Sequence, residues 1–164
     1  MDYLWTPWRY RYIASAKESK GEGCIFCELP AAQDDAKTLI VYRGEKNFVI
    51  LNRFPYTTGH LMVVPYQHIG DLAACDPETL AEMMRITQHV KRAMESTYRP
   101  EGYNLGMNLG RAAGAGITEH LHLHFLPRWT GDSNFMTAVA ETRLEPEDLT
   151  VTYDKLRKAL AANA

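Results

Sequence analysis

Three patterns in this 164-residue chain predict an α+β fold with a five-stranded antiparallel sheet and two main helices. β-rich runs follow one another with short connections. Helical periodicity is confined to two separate stretches. Three of the six histidines alternate with apolar residues in His120-Leu121-His122-Leu123-His124-Phe125. Short links favour antiparallel pairing, and helices set apart from the strands argue against a βαβ architecture.

Along the chain, residues 1–20 form an aromatic and basic arm, with Trp5, Trp8, Tyr10 and Tyr12 among Arg9 and Arg11. So much aromatic surface calls for cover by the domain or by a second subunit. Residues 21–135 read as the main domain and 136–164 as a C-terminal extension carrying a helix. Strands are expected at 38–42 and 47–51, joined by the hairpin signal Arg43-Gly44-Glu45-Lys46, and at 61–65 after a loop over 52–59. Asp76 can cap a helix whose first position is Pro77, with Glu78 at its positive end. Leu80, Met83, Met84, Thr87, Val90 and Met94 recur at helical spacing, which leaves His89 on the solvated face, and Pro100 ends the helix. Strands at 103–109 and 120–126 follow. A last helix from about Pro146 carries Leu149, Tyr153, Leu156 and Leu160 on one stripe.

Composition narrows the function classes. A net charge of −2 and a pI near 6.3 give no footprint for broad binding to nucleic acid. No apolar run approaches the roughly 18 residues needed to cross a bilayer, and the start lacks the apolar region of a signal peptide. A cytoplasmic protein is expected. Its three cysteines are odd in number, and Cys24 and Cys27 are close-spaced, which suits metal or redox chemistry better than disulfides. Cys75 has no such spacing and reads as a small buried residue.

The chemistry concentrates in two places. In a strand, His120, His122 and His124 share one face while Leu121, Leu123 and Phe125 face the core. Three imidazoles on one face each need polar partners once desolvated, so a purely structural role is a poor account of them. The preceding Gly110-Arg111-Ala112-Ala113-Gly114-Ala115-Gly116-Ile117 lets backbone N–H groups approach an anion closely. A closed zinc site needs four nitrogen or sulfur ligands. Cys24, Cys27 and His68 offer three, and one triad histidine could be the fourth.

His120-Leu121-His122-Leu123-His124-Phe125-Leu126 resembles the signature of the histidine triad (HIT) superfamily of nucleotide hydrolases and transferases. The resemblance extends through most of residues 24–130. Asn52-Arg53-Phe54-Pro55 followed by Gly59-His60-Leu61 is similar to the family's nucleoside-binding loop and strand. Pro127-Arg128-Trp129 and the Trp5-Thr6-Pro7-Trp8-Arg9 start resemble the bacterial branch containing diadenosine tetraphosphate phosphorylases. The resemblance implies a HIT-like fold with His122 as the nucleophile at an α-phosphorus. His124 would donate to phosphate oxygens beside Asn108 and the amides of Gly116 and Ile117. His60 would support the triad, and Asn52 would contact the ribose. It further implies structural Zn2+ on Cys24, Cys27, His68 and His120. A homodimer would form through the helix after Pro77 and the strand at 103–109. The substrate would be a nucleotide or dinucleoside polyphosphate, with no nucleic acid required. Arg111 and Trp129 are expected to tune substrate choice, against packing roles for both.

Hydrolase branches of the family carry polar side chains just before the triad, where this chain has Ala115, Gly116 and Ile117. That departure favours phosphate over water as acceptor. Two other readings stand beside this one: a zinc hydrolase with a reactive metal on His120 and His122, and a non-catalytic nucleotide-binding module.

Overall fold

The computed structural model describes residues 23–133 and 147–162. Two short helices, α1 (Ile25–Ala31) and α2 (Asp35–Thr38), lead into strands β1 (Ile40–Arg43), β2 (Asn47–Leu51) and β3 (Leu61–Pro65). The long helix α3 (Pro77–Tyr98) precedes β4 (Gly102–Gly106) and β5 (Leu123–Arg128), and α4 (Leu149–Ala162) follows. The strands form one antiparallel sheet in the order β1-β2-β3-β5-β4. The expected class is therefore the one observed. The N-terminal arm at 1–20 and residues 134–146 lie outside the described residues.

All five residues of β2 and all five of β3 are buried. Side chains alternate between the faces of a strand, so both faces of the sheet centre are covered. In the β3–β5 register Leu61 stands opposite Phe125 and Met62 opposite His124. Phe125 thus joins the core face, its ring tilted against Tyr103 at 5.0 Å, while His124 takes the other face.

Helix α3 begins as its sequence dictates. Asp76 accepts from the Thr79 amide at 3.1 Å, and Pro77 occupies the first turn, where its missing N–H costs nothing. Met83, Thr87, Val90 and Met94 are buried, with Ile86 and Ala93 completing the apolar face. Met84 is 52% exposed, at the edge of that face. Glu82 clamps the β1–β2 hairpin from α3. Its carboxylate accepts from the amides of Glu45 at 2.7 Å and Lys46 at 2.9 Å and from the fully buried Asn47 side chain at 2.6 Å.

Several expectations are corrected. The short helices α1 and α2 were not expected, and Thr38 closes α2 instead of opening a strand. β4 ends at Gly106, short of Leu109. β5 begins at Leu123, so His120 and His122 sit in the segment before it. The last helix starts at Leu149, because Asp148 caps it through the Thr150 amide at 2.8 Å. His89 is not solvated: α4 docks against α3, and the imidazole packs 5.2 Å from Tyr42 with its Nε2 buried. Burial, with Arg92 nearby, holds its pKa below the usual range. Cys75 is buried, as its isolated position suggested.

Candidate active site and metal cluster

Four imidazoles meet where β3 and β5 adjoin, and main-chain groups decide where each keeps its proton. The Tyr56 amide can only donate, and it lies 3.2 Å from His60 Nδ1. His60 therefore accepts at Nδ1 and, when neutral, carries hydrogen on Nε2. That Nε2–H points at His124 Nδ1, 2.9 Å away. His124 is left with its own hydrogen on Nε2. His122 runs the opposite way: its Nδ1–H donates to the His120 carbonyl at 2.9 Å, which leaves an Nε2 lone pair. The His122 and His124 rings stand 5.0 Å apart and nearly perpendicular. A lone pair on one imidazole thus neighbours an N–H donor on the next.

The histidines are more enclosed than a half-exposed strand would allow. His60 and His120 are essentially fully buried, and His122 is 6% exposed. The absence of a strand at 120–122 explains how. Leu121 N–H donates to the Ile69 carbonyl at 2.7 Å and His120 Nε2–H to the Pro65 carbonyl at 2.8 Å. Carbonyls at and beyond the end of β3 thus take the place of a sheet ladder. Gly70 allows the close approach, since a Cβ there would meet the Thr118 carbonyl oxygen at 2.6 Å.

His120 belongs to a second cluster. Its Nδ1 faces Cys24 Sγ at 3.3 Å and Cys27 Sγ at 3.7 Å, while His68 Nδ1 lies 3.4 Å from Cys27 Sγ. The four donor atoms lie within 4.8 Å of one another. Burial pushes the Cys27 thiol up, and Cys24 and Glu28 add to it, so a cation is what would make this pair comfortable as thiolates. His120 donates its far N–H to a carbonyl, the arrangement that orients a metal-bound imidazole. Two thiols and two imidazoles within such a span are compatible with zinc. Cys24, Cys27, His68 and His120 are therefore together as expected.

The remaining expected residues divide. Asn52 accepts from the Phe54 amide at 2.9 Å through its side-chain oxygen, and its amide nitrogen lies 3.5 Å from His60 Nε2. Asn108 follows Gly106, which pairs with His124, by two residues. Arg111 opens a single 3-10 turn, flanked by Gly110 and Gly114 at φ of +80° and +89°, and is exposed, as is Gly116. Ile117 packs against the core. Trp129 lies beyond the far end of β5, five residues or roughly 16 Å of extended chain from His124. Its indole N–H donates to the Tyr98 carbonyl at 3.3 Å. Sequence reasoning passed over Phe26 and Tyr56. The Phe26 ring lies 5.5 Å from His120 and 5.2 Å from His122, and Tyr56 covers His60 at 4.8 Å.

Burial, reinforced by His122, pushes His124 down to about 4. An unfolded histidine titrates near pH 6.5. Below that pH the unfolded chain takes up a proton that folded His124 refuses, so this part of the stability is complete above about pH 6.5 and drains away toward pH 4. Melting temperature should fall between about pH 6.5 and 5, above the carboxylate range, and His124→Gln should shrink that fall. Thermal melts across the window check it; equal slopes in the two proteins would reject the assignment.

A family model described as the HIT domain matches residues 33–131. The chain is 40% identical over 150 residues to the AP-4-A phosphorylase of Mycobacterium tuberculosis, covering 88% of this chain and 76% of that protein. A crystal structure of a Zn-bound histidine triad family protein from Mycobacterium smegmatis superposes with a TM-score of 0.70 at 34% identity, covering 86% of this chain and 95% of the other. A hypothetical histidine triad nucleotide-binding protein from Sulfolobus tokodaii gives 0.69 at 28% identity, with 85% and 93% covered. With its buried imidazoles set on the same framework, this chain belongs to the HIT domain family.

Proposed function

We propose that the chain is a nucleotidyl transferase that cleaves dinucleoside polyphosphates of the diadenosine tetraphosphate type through His122, with phosphate as the acceptor. The observation that carries this reading is the pair of opposed tautomers: His122 Nε2 holds a lone pair beside the His124 Nε2–H. Likeness to an AP-4-A phosphorylase over most of the chain supports the substrate class.

Burial lowers the pKa of His122, so the imidazole is neutral and nucleophilic at pH 7. Its Nε2 attacks the α-phosphorus, the bond from that phosphorus to the bridging oxygen breaks, and a nucleotidyl-histidine forms. The His120 carbonyl, already accepting from Nδ1–H, stabilises the positive charge that the attacked imidazole acquires. His124 donates from Nε2 to the oxygen that gains negative charge, and His60 holds it in the donating tautomer. The amides of Gly116 and Ile117 and the side chain of Asn108 bind the phosphate oxygens, and Asn52 holds the ribose. The acceptor then attacks the same phosphorus and frees His122, a double displacement.

Phosphate, already an anion and a nucleophile, needs no side-chain base, and Ala115-Gly116-Ile117 provides none. Water as acceptor, on a dinucleoside polyphosphate or a nucleoside phosphoramidate, is the alternative. The catalytic-zinc reading has less support, since His120 Nδ1 turns to the thiols and His122 is outside the four-donor cluster.

We assign Zn2+ to Cys24, Cys27, His68 and His120 as a structural ion that fastens α1 to the triad segment. The chain is further proposed to work as a cytoplasmic homodimer. All three cysteines are free, no helix among the described residues is long and apolar enough to cross a membrane, and β4 leaves one edge of the sheet open. Leu105 and Leu109 on or after that edge are 46% and 47% exposed, and Met84 of α3 is exposed too.

His122→Ala should remove turnover while nucleotide binding persists. With diadenosine tetraphosphate and phosphate, the wild type should yield ADP plus ATP; AMP plus ATP, or two ADP, would establish hydrolysis instead, and a variant with near wild-type kcat would defeat the covalent route. Metal analysis should find about one zinc per chain, and chelation should lower the melting temperature markedly; zinc-free protein with an unchanged melt refutes the cluster. Light scattering should give a dimer mass at micromolar concentration, shifted toward monomer by Leu105→Arg. A monomeric wild type would overturn the assembly.

A further inference from the structure

We infer that Phe26 is a positioning residue that couples the Cys24/Cys27/His68/His120 cluster to the nucleophile; the inference rests on the reading of His122 given above. Phe26 lies between the two cysteines, on the first turn of α1, and is 4% exposed. Its ring meets His120 edge-on at 5.5 Å and 72°, and His122 at 5.2 Å and 46°. His122 also meets the His124 ring at 5.0 Å and 80°. The His120 carbonyl fixes one nitrogen of His122, but a single hydrogen bond leaves the ring free to tilt about it. Ring contacts with Phe26 and His124 restrict that freedom.

Placement of Phe26 depends in turn on the cluster. A seven-residue helix has too few hydrogen bonds to hold itself together, so α1 takes its position from tertiary anchors. At its far end those anchors are Leu29 against the core and the Pro30 carbonyl, which accepts from Arg43 at 3.0 Å. At its start they are Phe26 in the core and the two thiols that flank it, which converge on His120 and His68. A metal ion held there pins the helix from which Phe26 presses on His122. Attack needs Nε2 aimed at phosphorus within about 3–3.5 Å, and a displacement of about 1 Å can cost on the order of 10²-fold in rate. Ring tilt is thus converted into kcat, with little effect on how substrate is held.

The test compares wild type, Phe26→Leu and Phe26→Met, all metal-loaded, with His122→Ala in parallel. Leucine and methionine keep apolar bulk and lose the ring; methionine adapts to the gap if leucine does not fold. Both should lower kcat about tenfold or more, with KM changed less than about threefold. The His122 Cε1 proton, read by NMR in metal-loaded protein, should lose the ring-current shift that Phe26 imposes. Chelation at a temperature where circular dichroism stays native should move that signal and lower kcat in the wild type. In the Phe26 variants it should add little, because both changes act through one displacement. A kcat within twofold of wild type, a loss confined to KM, or a His122 signal indifferent to chelation would overturn the coupling. Turnover by His122→Ala would instead remove the nucleophile reading itself.

Discussion

The site rests on a small number of main-chain groups that choose imidazole tautomers. An amide at Tyr56 and carbonyls at Pro65 and His120 each meet one ring nitrogen, and a chain of imidazoles carries the choice onward to His124. Neutral imidazole has one donor and one acceptor, so fixing either nitrogen fixes the other. Backbone groups cannot rotate away as side chains can. The arrangement also needs dry surroundings, because charging any ring would turn its acceptor into a donor and break the chain. Desolvation, which lowers the pKa values of His120, His122 and His124, keeps them neutral across the physiological range.

Two clusters share one short peptide. His120 offers its side chain to the thiols and its carbonyl to His122, so one residue serves both. Through that residue and Phe26, the region around α1 adjoins the His122 ring. A histidine that ligates a metal through one nitrogen ordinarily fastens the other to a carbonyl or carboxylate. Here the carbonyl of Pro65 does so, and it stands at the end of β3, whose first residue follows His60. Both clusters are thereby tied to the same strand.

Much of this was legible in the sequence. The sheet and the capped helix follow from alternation and capping residues; Cys24, Cys27 and His68 stood out by residue type, and the family resemblance named His120 as the fourth of that cluster. The boundary of β5 did not. Alternation at 120–125 is satisfied equally by an extended segment whose partners are loop carbonyls, and nothing local distinguishes the two. Seven residues at α1 are too few for a helical period to declare itself. His89 was misread because the residue that buries it comes from α4, some seventy positions later. Phe26 gave no signal, since one aromatic between two cysteines reads as ordinary core.

Helix α4 completes the core from a distance. Tyr153, Leu156 and Leu160 are buried, and Arg157 reaches Asp35 at 3.2 Å across 122 positions of sequence. A ribosome releases residues in order, so the apolar floor beneath β1 stays uncovered until 149–162 have emerged. That part of the sheet must therefore wait, incompletely roofed, during synthesis at about 5–20 residues per second. Closing so long a loop also comes at an entropic cost that local helix contacts do not share. The nascent chain thus spends seconds with an apolar face that a chaperone, or a neighbouring nascent chain, can reach.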